Sequence, residues 1–314
     1  MKKKNVRQLA FDALLKIEYE QAYSNLLVHH AIERGLLNAK DSRLFTELVY
    51  GTVQRKRTLD YYLSHFLTKK IKKKDQWVIP LLRMALYQMI FLEKIPSHAI
   101  VYETVQIAKN KGHQGLASLV NGILRSVQRR GLPNIDTIED DTTRLSVKYS
   151  HPEWLVSAWI DQYGIETTEK ICETNLQRPK VTARVNIQKT NRTDLLQMLE
   201  KEGIIAEESQ LSTDGIVIHE GNVIQTAAYE KGFFTIQDES SMLVGRAVNP
   251  QRGETVLDCC AAPGGKTTHL AELMNNEGKI VALDIHEHKL NLIQQQLERL
   301  EISNVSLYAL DARQ

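Results

Sequence analysis

The chain has 314 residues, of which 42% are hydrophobic and 25% are charged, so it can bury real cores and we expect two or three domains. No apolar run reaches the roughly 18 residues that span a membrane, so we expect a cytoplasmic protein with no membrane partner. The three cysteines, Cys172, Cys259 and Cys260, are too few and too poorly spaced for a disulfide framework or a zinc site, and we expect no metal.

The net charge of +2 conceals an uneven distribution of charge along the chain. Residues 1–133 carry 23 lysines and arginines against 10 acidic residues, about +13, whereas the rest carries 17 against 28, about −11. The basic part includes Arg55-Lys56-Arg57 and the run KKIKKKDQW at residues 69–77. This pattern is typical of nucleic-acid-binding proteins, because lysine and arginine neutralise phosphates. For any one cluster, a solvated helical face is the alternative.

Residues 1–133 show the apolar spacing of amphipathic helices. The apolar positions of NVRQLAFDALLKI share one helical face, and Asp41 is predicted to cap the helix SRLFTELVYGTV. Pro80 is predicted to open PLLRMALYQMIFLEK, and Ser97 to cap HAIVYETVQIAK. These segments predict an all-α bundle, whose apolar stripes core packing explains without a cofactor.

The middle of the chain changes character twice. GLPNIDTIEDDTT lacks periodicity, and residues 134–143 are predicted to be a linker. HPEWLVSAWIDQYG then predicts a helix, while VTARVNI and GIVIHEG predict strands around the helix TDLLQMLEKEG. We expect residues 144–232 to form a small α/β or α+β domain.

Residues 233–314 alternate apolar runs with helical patterns. The runs ETVLDCC, KIVALDI and VSLYALDA flank GKTTHLAELMNN and HKLNLIQQQLERL, an order that predicts parallel strands in a doubly wound, Rossmann-like sheet. Ligands of such sheets bind beyond the carboxyl ends of the strands. Asp258, Asp284 and Asp311 end the three strands. Asp284 follows the glycine turn by about 20 residues, where Rossmann-type folds hold a ribose hydroxyl pair.

The turn CCAAPGGKT after the first of these strands leaves two kinds of ligand to compare. Gly265-Lys266-Thr267 resembles the end of a phosphate-binding loop, but the first glycine of that motif falls on Cys260. The dinucleotide fingerprint G-x-G-x-x-G is also absent. A tight corner lined by acids favours a cationic ligand without phosphate, such as S-adenosyl-L-methionine.

CAAPGGKT, with VALDI and DAR downstream, resembles the cofactor-binding half of the Sun/Fmu (RsmB) family of small-subunit ribosomal RNA cytosine-5 methyltransferases. Other segments resemble that family too, so the likeness covers nearly the whole chain; they are LVYGTVQRKRTLDYYL, IPSHAIVYETVQIAK, LVNGILR, YSHPEWLVSAW, RVN and FFTIQDESSMLVG. The resemblance implies a NusB-like RNA-binding domain at residues 1–133 and the N-terminal part of a methyltransferase domain at residues 233–314.

The resemblance also implies a cofactor, S-adenosyl-L-methionine, and the residues that hold it. The loop around its methionine and ribose portions would be Cys260, Ala261, Ala262, Pro263, Gly264, Gly265 and Lys266. Asp284 would take the ribose hydroxyls, and Asp311 would lie by the adenine amino group. Asp258 is a further neighbour without an assigned contact, and core packing is the expected role of Cys172 and Cys259.

The implied reaction is methylation of carbon 5 of a cytosine in small-subunit ribosomal RNA. Carbon 5 becomes nucleophilic only after a thiolate adds to carbon 6. The family carries that cysteine in Pro-Cys-Ser and Thr-Cys-Ser motifs, which this sequence lacks. We therefore assign no catalytic residue, expect the nucleophile beyond Gln314, and expect this incomplete chain to be an inactive monomer. The alternative function is a non-catalytic NusB-like module that binds RNA.

Overall fold

A computed structural model describes residues 5–35, 37–67 and 71–313, and the chain divides into two compact units, Met1–Gln177 and Arg178–Gln314. Within its described residues the first unit is all-helical, with short 3-10 turns at Lys73–Asp75 and Ile135–Thr137. Its α-helices are α1 (Val6–Glu20), α2 (Ser24–Glu33), α3 (Ala39–Gln54), α4 (Lys56–Ser64), α5 (Val78–Phe91), α6 (Ser97–Lys111), α7 (Gln114–Arg130), α8 (Asp141–Tyr149), α9 (Glu153–Tyr163) and α10 (Ile165–Thr174).

The core of the first unit forms around α5, because almost every position of VIPLLRMALYQMIF is apolar. Leu81, Leu82, Met84 and Leu86 are all fully buried there. A helix that is apolar on all sides belongs at the centre of a bundle, with the amphipathic helices packed around it. The predicted all-α bundle is therefore confirmed.

Helix starts differ from the predicted ones by a few residues. Asn38, not Asp41, caps α3: its Oδ1 accepts a hydrogen bond of 2.8 Å from the Asp41 backbone N–H. Asp41 instead lies in the first turn, where a carboxylate favours the helix dipole. Similarly, α5 begins before Pro80, and Ser97 is the first residue of α6 rather than its cap.

Helices α8 to α10 enclose a small second core in the first unit. Leu145, Val156 and Cys172 are buried together, so the predicted packing role of Cys172 is confirmed. The Thr58 hydroxyl of α4 donates a hydrogen bond of 2.6 Å to the carbonyl of Val147 in α8. The two units of the structure divide at residue 177, whereas the domains predicted from the sequence divide at residues 133, 143 and 232.

The second unit begins with a four-stranded antiparallel sheet in the order β2-β3-β1-β4. Its strands are β1 (Val181–Val185), β2 (Ile205–Glu208), β3 (Gly215–Glu220) and β4 (Phe234–Ile236), with α11 (Arg192–Lys201) between β1 and β2 and α12 (Ala227–Glu230) after the 3-10 turn Val223–Gln225. Leu195 and Leu199 of α11 are fully buried in its core. The two predicted strands and the helix between them are confirmed.

A three-stranded parallel sheet in the order β5-β6-β7 completes the second unit. Its strands are β5 (Thr255–Asp258), β6 (Lys279–Asp284) and β7 (Val305–Ala309). The helices of this segment are α13 (Glu239–Val248) before β5, α14 (Gly265–Leu273) between β5 and β6, and α15 (Glu287–Leu300) between β6 and β7. Asp258 pairs with Ala282, and Asp284 pairs with Ala309, so the carboxyl ends of the strands share one edge. The predicted Rossmann-like order is confirmed. Among the helices described, none is long and apolar enough to cross a membrane.

Candidate cofactor site

The loop of residues 259–264 leaves β5 and turns directly into α14. Two backbone hydrogen bonds hold the loop. Ala261 N–H donates to the carbonyl of Leu283 in β6 at 2.9 Å, and Gly264 N–H donates to the carbonyl of Ala261 within the loop at 2.7 Å. Gly264 has a φ of +102°, and a Cβ there would lie 3.2 Å from Cγ2 of Ile293. Glycine is therefore required at the point where the loop becomes a helix.

Asp258 braces this loop from the end of β5. One carboxylate oxygen accepts the Cys260 backbone N–H at 3.2 Å, and the other accepts the Thr267 hydroxyl at 2.7 Å. No contact was predicted for Asp258 from the sequence. In the structure, Asp258 joins the start of the loop to the first turn of α14 through these two hydrogen bonds.

Asp284 joins the loops that follow two neighbouring strands. Its Oδ1 accepts the His286 N–H at 3.0 Å, and its Oδ2 accepts the Ala262 N–H at 3.3 Å. The hydrogen bond from His286 is the main cause that lowers the pKa of Asp284, so the group is ionised at neutral pH. A carboxylate has about four acceptor positions, so two positions of Asp284 are not taken by these N–H groups; the residue as a whole is 9% exposed.

Asp311 lies beyond β7 at the same edge, since Leu310 N–H donates to the carbonyl of Asp284 at 3.2 Å. Its carboxylate is engaged by Arg313, whose Nη2 donates to Oδ2 at 2.6 Å and whose Nε donates to Oδ1 at 2.9 Å. Hydrogen bonding from Arg313 lowers the pKa of Asp311. Sequence reasoning missed this pair, and a ligand amino group at Asp311 would have to share the carboxylate with Arg313.

The predicted loop residues differ in their access to solvent. Cys260, Pro263 and Lys266 are exposed, Ala262 and Gly265 are partly buried, and Ala261 and Gly264 are buried. Exposed residues at the edge of the sheet can meet a ligand, whereas the buried ones shape the turn.

The packing role predicted for Cys259 is wrong, because Cys259 is exposed. The reason is its position. The chain turns away from the sheet directly after Asp258, so the two residues that follow lie outside the core.

Helix α14, which follows the loop, carries buried polar side chains that sequence reasoning did not single out. His269 is almost fully buried, and its Nε2 lies 3.2 Å from Oδ2 of Asp214. Arg246 donates two hydrogen bonds to the same carboxylate, one of them from Nε at 2.7 Å. Burial opposes ionisation of Asp214, but the hydrogen bonds from His269 and Arg246 outweigh it and hold its pKa well below the usual range.

The basic cluster predicted in the first unit is largely paired. Lys56 donates to Glu18 at 2.8 Å, Arg57 forms an ion pair with Glu153, and the Arg55 guanidinium lies 4.7 Å from the centre of a phenylalanine ring. Other basic residues of this unit are exposed; among them are Lys72, Lys73, Lys74, Lys109, Arg125 and Arg129. Residues 69 and 70 of the predicted basic run lie outside the described residues.

Comparisons with known proteins agree with this architecture. Residues 4–129 match the NusB family, residues 151–225 match the ferredoxin-like domain of the RsmF/B-like methyltransferases, and residues 246–314 match the family 16S rRNA methyltransferase RsmB/F. The crystal structure of PH0851 superposes on this chain with a TM-score of 0.75 at 24% identity. The match covers 100% of this chain and 70% of that one, so the two have the same fold.

Curated relatives give the family. The chain is 50% identical over 313 residues to the "Probable ribosomal RNA small subunit methyltransferase B" of Bacillus subtilis (strain 168), covering 100% of this chain and 70% of that protein. It is 32% identical over 299 residues to the "Ribosomal RNA small subunit methyltransferase B" of Proteus mirabilis (strain HI4320), covering 95% and 69%. These relatives favour a methyltransferase over the alternative function, a non-catalytic module that only binds RNA. The chain belongs to the RsmB/F family of small-subunit ribosomal RNA methyltransferases.

Proposed function

We propose that the second unit binds S-adenosyl-L-methionine at the loop of residues 260–266, with Asp284 on the ribose hydroxyls and Asp311 beside the adenine. The observation that carries this proposal is Asp284: an ionised carboxylate, fixed by two backbone N–H groups, that keeps acceptor positions for a diol at the ligand-binding edge of a parallel sheet.

The arrangement of Thr267 argues against a nucleoside triphosphate. In a phosphate-binding loop the hydroxyl at this position contacts magnesium, but here the Thr267 hydroxyl donates to Asp258 at 2.7 Å and is fully buried. Asp284, also at this edge, adds a carboxylate that would repel phosphates. A sulfonium nucleoside avoids that repulsion, because its centre is positive.

The start of α14 supplies the opposite polarity to these acids. The backbone N–H groups of a first helical turn have no partner within the helix and attract anions. Lys266, exposed in that turn, adds a positive charge. Together they suit the carboxylate of the methionine portion, while the acids suit the ribose.

When bound, S-adenosyl-L-methionine supplies a methyl group on a sulfonium. The residues of this chain would bind and orient the cofactor: Asp284 holds the ribose, Asp311 receives the adenine amino group, and Asp258 keeps the loop closed. We propose carbon 5 of a cytosine in small-subunit ribosomal RNA as the methyl acceptor, and we assign no nucleophile among the residues of this chain.

The first unit is the proposed RNA-binding part. The excess of 23 basic over 10 acidic residues at residues 1–133 supports it, because ribosomal RNA is a polyanion. The domain division at residues 133, 143 and 232 stays a prediction, as does the monomeric state.

Titration calorimetry with S-adenosyl-L-methionine tests the cofactor proposal directly. We expect saturable binding that Asp284→Ala abolishes, because the ribose then loses its acceptor. Glu287→Ala is the matched control, since Glu287 is an exposed carboxylate three residues further along the chain. Absent binding, or binding of magnesium-ATP in its place, would contradict the proposal.

The base that is methylated requires a separate measurement. Deletion of the gene that encodes this chain should remove one 5-methylcytidine from small-subunit ribosomal RNA, as measured by mass spectrometry of nuclease fragments. An unchanged 5-methylcytidine content would count against the proposed acceptor without bearing on cofactor binding.

A further inference from the structure

Arg184 is a fully buried cation in the antiparallel sheet of the second unit. It lies in β1, between β3 and β4, and its side chain has no exposed surface. A buried arginine needs an acceptor for each of its N–H groups, because an unpaired one is costly out of water. Its partners therefore show what the residue is for.

Every donor of the guanidinium has an acceptor. Nε and Nη2 donate to the two carboxylate oxygens of Glu272 at 3.0 and 2.7 Å, and Nη2 also donates to the Thr268 hydroxyl at 3.1 Å. Nη1 donates to the Gly265 carbonyl at 2.8 Å and to Oε1 of Gln237. An arginine side chain has five N–H donors in all, so this set is complete.

Three of the four partners lie on α14, the helix that continues from the candidate cofactor loop. Gly265, Thr268 and Glu272 are spaced by three and four residues, which places them on one face of the helix. Gly265 is the first residue of α14 and also belongs to the predicted loop. Arg184 thus ties both the helix and the end of the loop to the antiparallel sheet.

Stability alone is a weak reason for this ion pair. Burial raises the pKa of Glu272 against the opposing charge of Arg184, and an apolar pair of similar volume is often as stable as a buried ion pair. An apolar side chain could not donate to the Gly265 carbonyl. That contact is what the arginine adds.

Gln237 supports the same point from the end of β4. Its Oε1 accepts from Arg184, and its amide group lies 3.7 Å from the position that a Cβ on Gly265 would occupy. Its Nε2 is buried and lacks a hydrogen-bond partner within the described part of the chain. Arg184 of β1 and Gln237, directly after β4, thus both lie beside Gly265.

We propose that Arg184 is a positioning residue for the cofactor loop: it fixes the Gly265 carbonyl and the start of α14, with Gln237 as a second support. The inference rests on the proposed function, because it concerns the loop assigned to S-adenosyl-L-methionine. Arg184 acts through Gly265 and has no assigned contact with the cofactor.

The test compares variants of the 314-residue chain that separate loop geometry from stability. Arg184→Met combined with Glu272→Met replaces the buried ion pair by apolar groups and should keep the thermal midpoint near that of the wild type. Arg184→Lys keeps the charge but cannot make five hydrogen bonds. Arg299→Met is the control, because Arg299 is a partly buried arginine of this unit whose acceptors lie in α12, β4 and α15.

Two measurements are made on each variant. Hydrogen exchange of the Ala261 and Gly264 amides, without cofactor, reports whether the loop is held, since the Ala261 amide donates to Leu283 of β6 and the Gly264 amide donates to Ala261. Calorimetry gives the dissociation constant of S-adenosyl-L-methionine. We expect faster loop exchange and an affinity loss of about 10- to 100-fold, the usual effect of removing a residue that orients a ligand-binding group.

The proposal would be overturned if the double variant and Arg184→Lys both exchanged their loop amides at the wild-type rate, or both bound the cofactor within twofold of the wild-type affinity. The same changes in Arg299→Met would overturn it too, by showing general loosening of the unit. If the wild-type chain does not bind the cofactor, the proposed function fails, and exchange alone decides whether Arg184 holds the loop.

Discussion

Thr267 donates a hydrogen bond of 2.7 Å to Asp258, and this contact closes the turn between β5 and α14. It uses the hydroxyl that a nucleotide-binding loop would turn toward a metal ion. Local sequence similarity to such a loop therefore does not extend to its geometry.

Removing this hydroxyl should loosen the turn measurably. We expect Thr267→Val to lower the free energy of unfolding of the second unit by about 1.5–3 kcal/mol, the usual range for a hydrogen bond to a charged group. Thr267→Ser keeps the donor and should lose much less. Thermal unfolding followed by circular dichroism makes the comparison. Equal losses would contradict a special role for the hydroxyl, because the methyl group that only Thr267→Ser removes would then contribute as much.

Gly264 offers a second test of the loop. Its φ of +102° and the 3.2 Å separation between an added Cβ and Ile293 Cγ2 both oppose a side chain. Gly264→Ala should destabilise the second unit by about 1–3 kcal/mol and weaken cofactor binding.

The control for Gly264 is a glycine that has room. Gly122 lies within α7, and an added Cβ there meets no atom within 4 Å. Gly122→Ala should raise stability by about 0.5–1 kcal/mol, because alanine is the better helix former. A neutral Gly264→Ala variant would contradict the strain argued for the loop.

The sequence predicted the parts of this structure that depend on local periodicity. The runs ETVLDCC and KIVALDI became parallel strands whose ends carry Asp258 and Asp284, because apolar runs and helical spacing are properties of neighbouring residues. Periodicity also predicted the helical bundle, and the excess of basic residues in it indicated RNA. The family resemblance added the cofactor and the residues expected to hold it.

Ion pairs between residues that are distant in sequence could not be predicted from local periodicity. Arg184 and Glu272 are 88 residues apart, and nothing in either segment indicates the other. The same holds for Lys56 and Glu18, whose pairing shows that a basic tripeptide need not be free to bind phosphates. Such contacts follow from the tertiary fold, which periodicity does not specify.

His269 should make the stability of the second unit depend on pH. Burial is the main cause that lowers the pKa of His269 from its ordinary value of 6.5. The unfolded chain then binds the proton more readily than the folded one, so stability falls as pH drops through about 6.5. Asp214, whose pKa is also lowered, adds a further loss at pH values below about 3.9.

Replacing the histidine should remove the first of these losses. We expect His269→Gln to flatten the dependence of stability on pH between pH 7 and pH 5, measured by hydrogen exchange of the α14 amides. His219→Gln removes an exposed histidine of the same unit and serves as the comparison. If wild type and His269→Gln lose stability in parallel over this range, another group is responsible.

RNA binding should depend on exposed lysines rather than on the paired basic cluster. Lys72, Lys73 and Lys74 are exposed, whereas Lys56 and Arg57 are engaged by Glu18 and Glu153. Each phosphate contact to single-stranded RNA contributes about 0.7 to the slope of log affinity against log salt. Replacing the three lysines by alanine should therefore reduce that slope by about 2 if all three contact phosphates.

Lys56→Ala combined with Arg57→Gln is the matched comparison, because it removes two charges that already have acidic partners. We expect it to change the slope much less than the three lysine substitutions do. Fluorescence anisotropy with a labelled ribosomal RNA fragment, titrated at several salt concentrations, gives both slopes. A larger effect from the paired residues would mean that RNA displaces Glu18 and Glu153, and the binding surface would then be centred on α4.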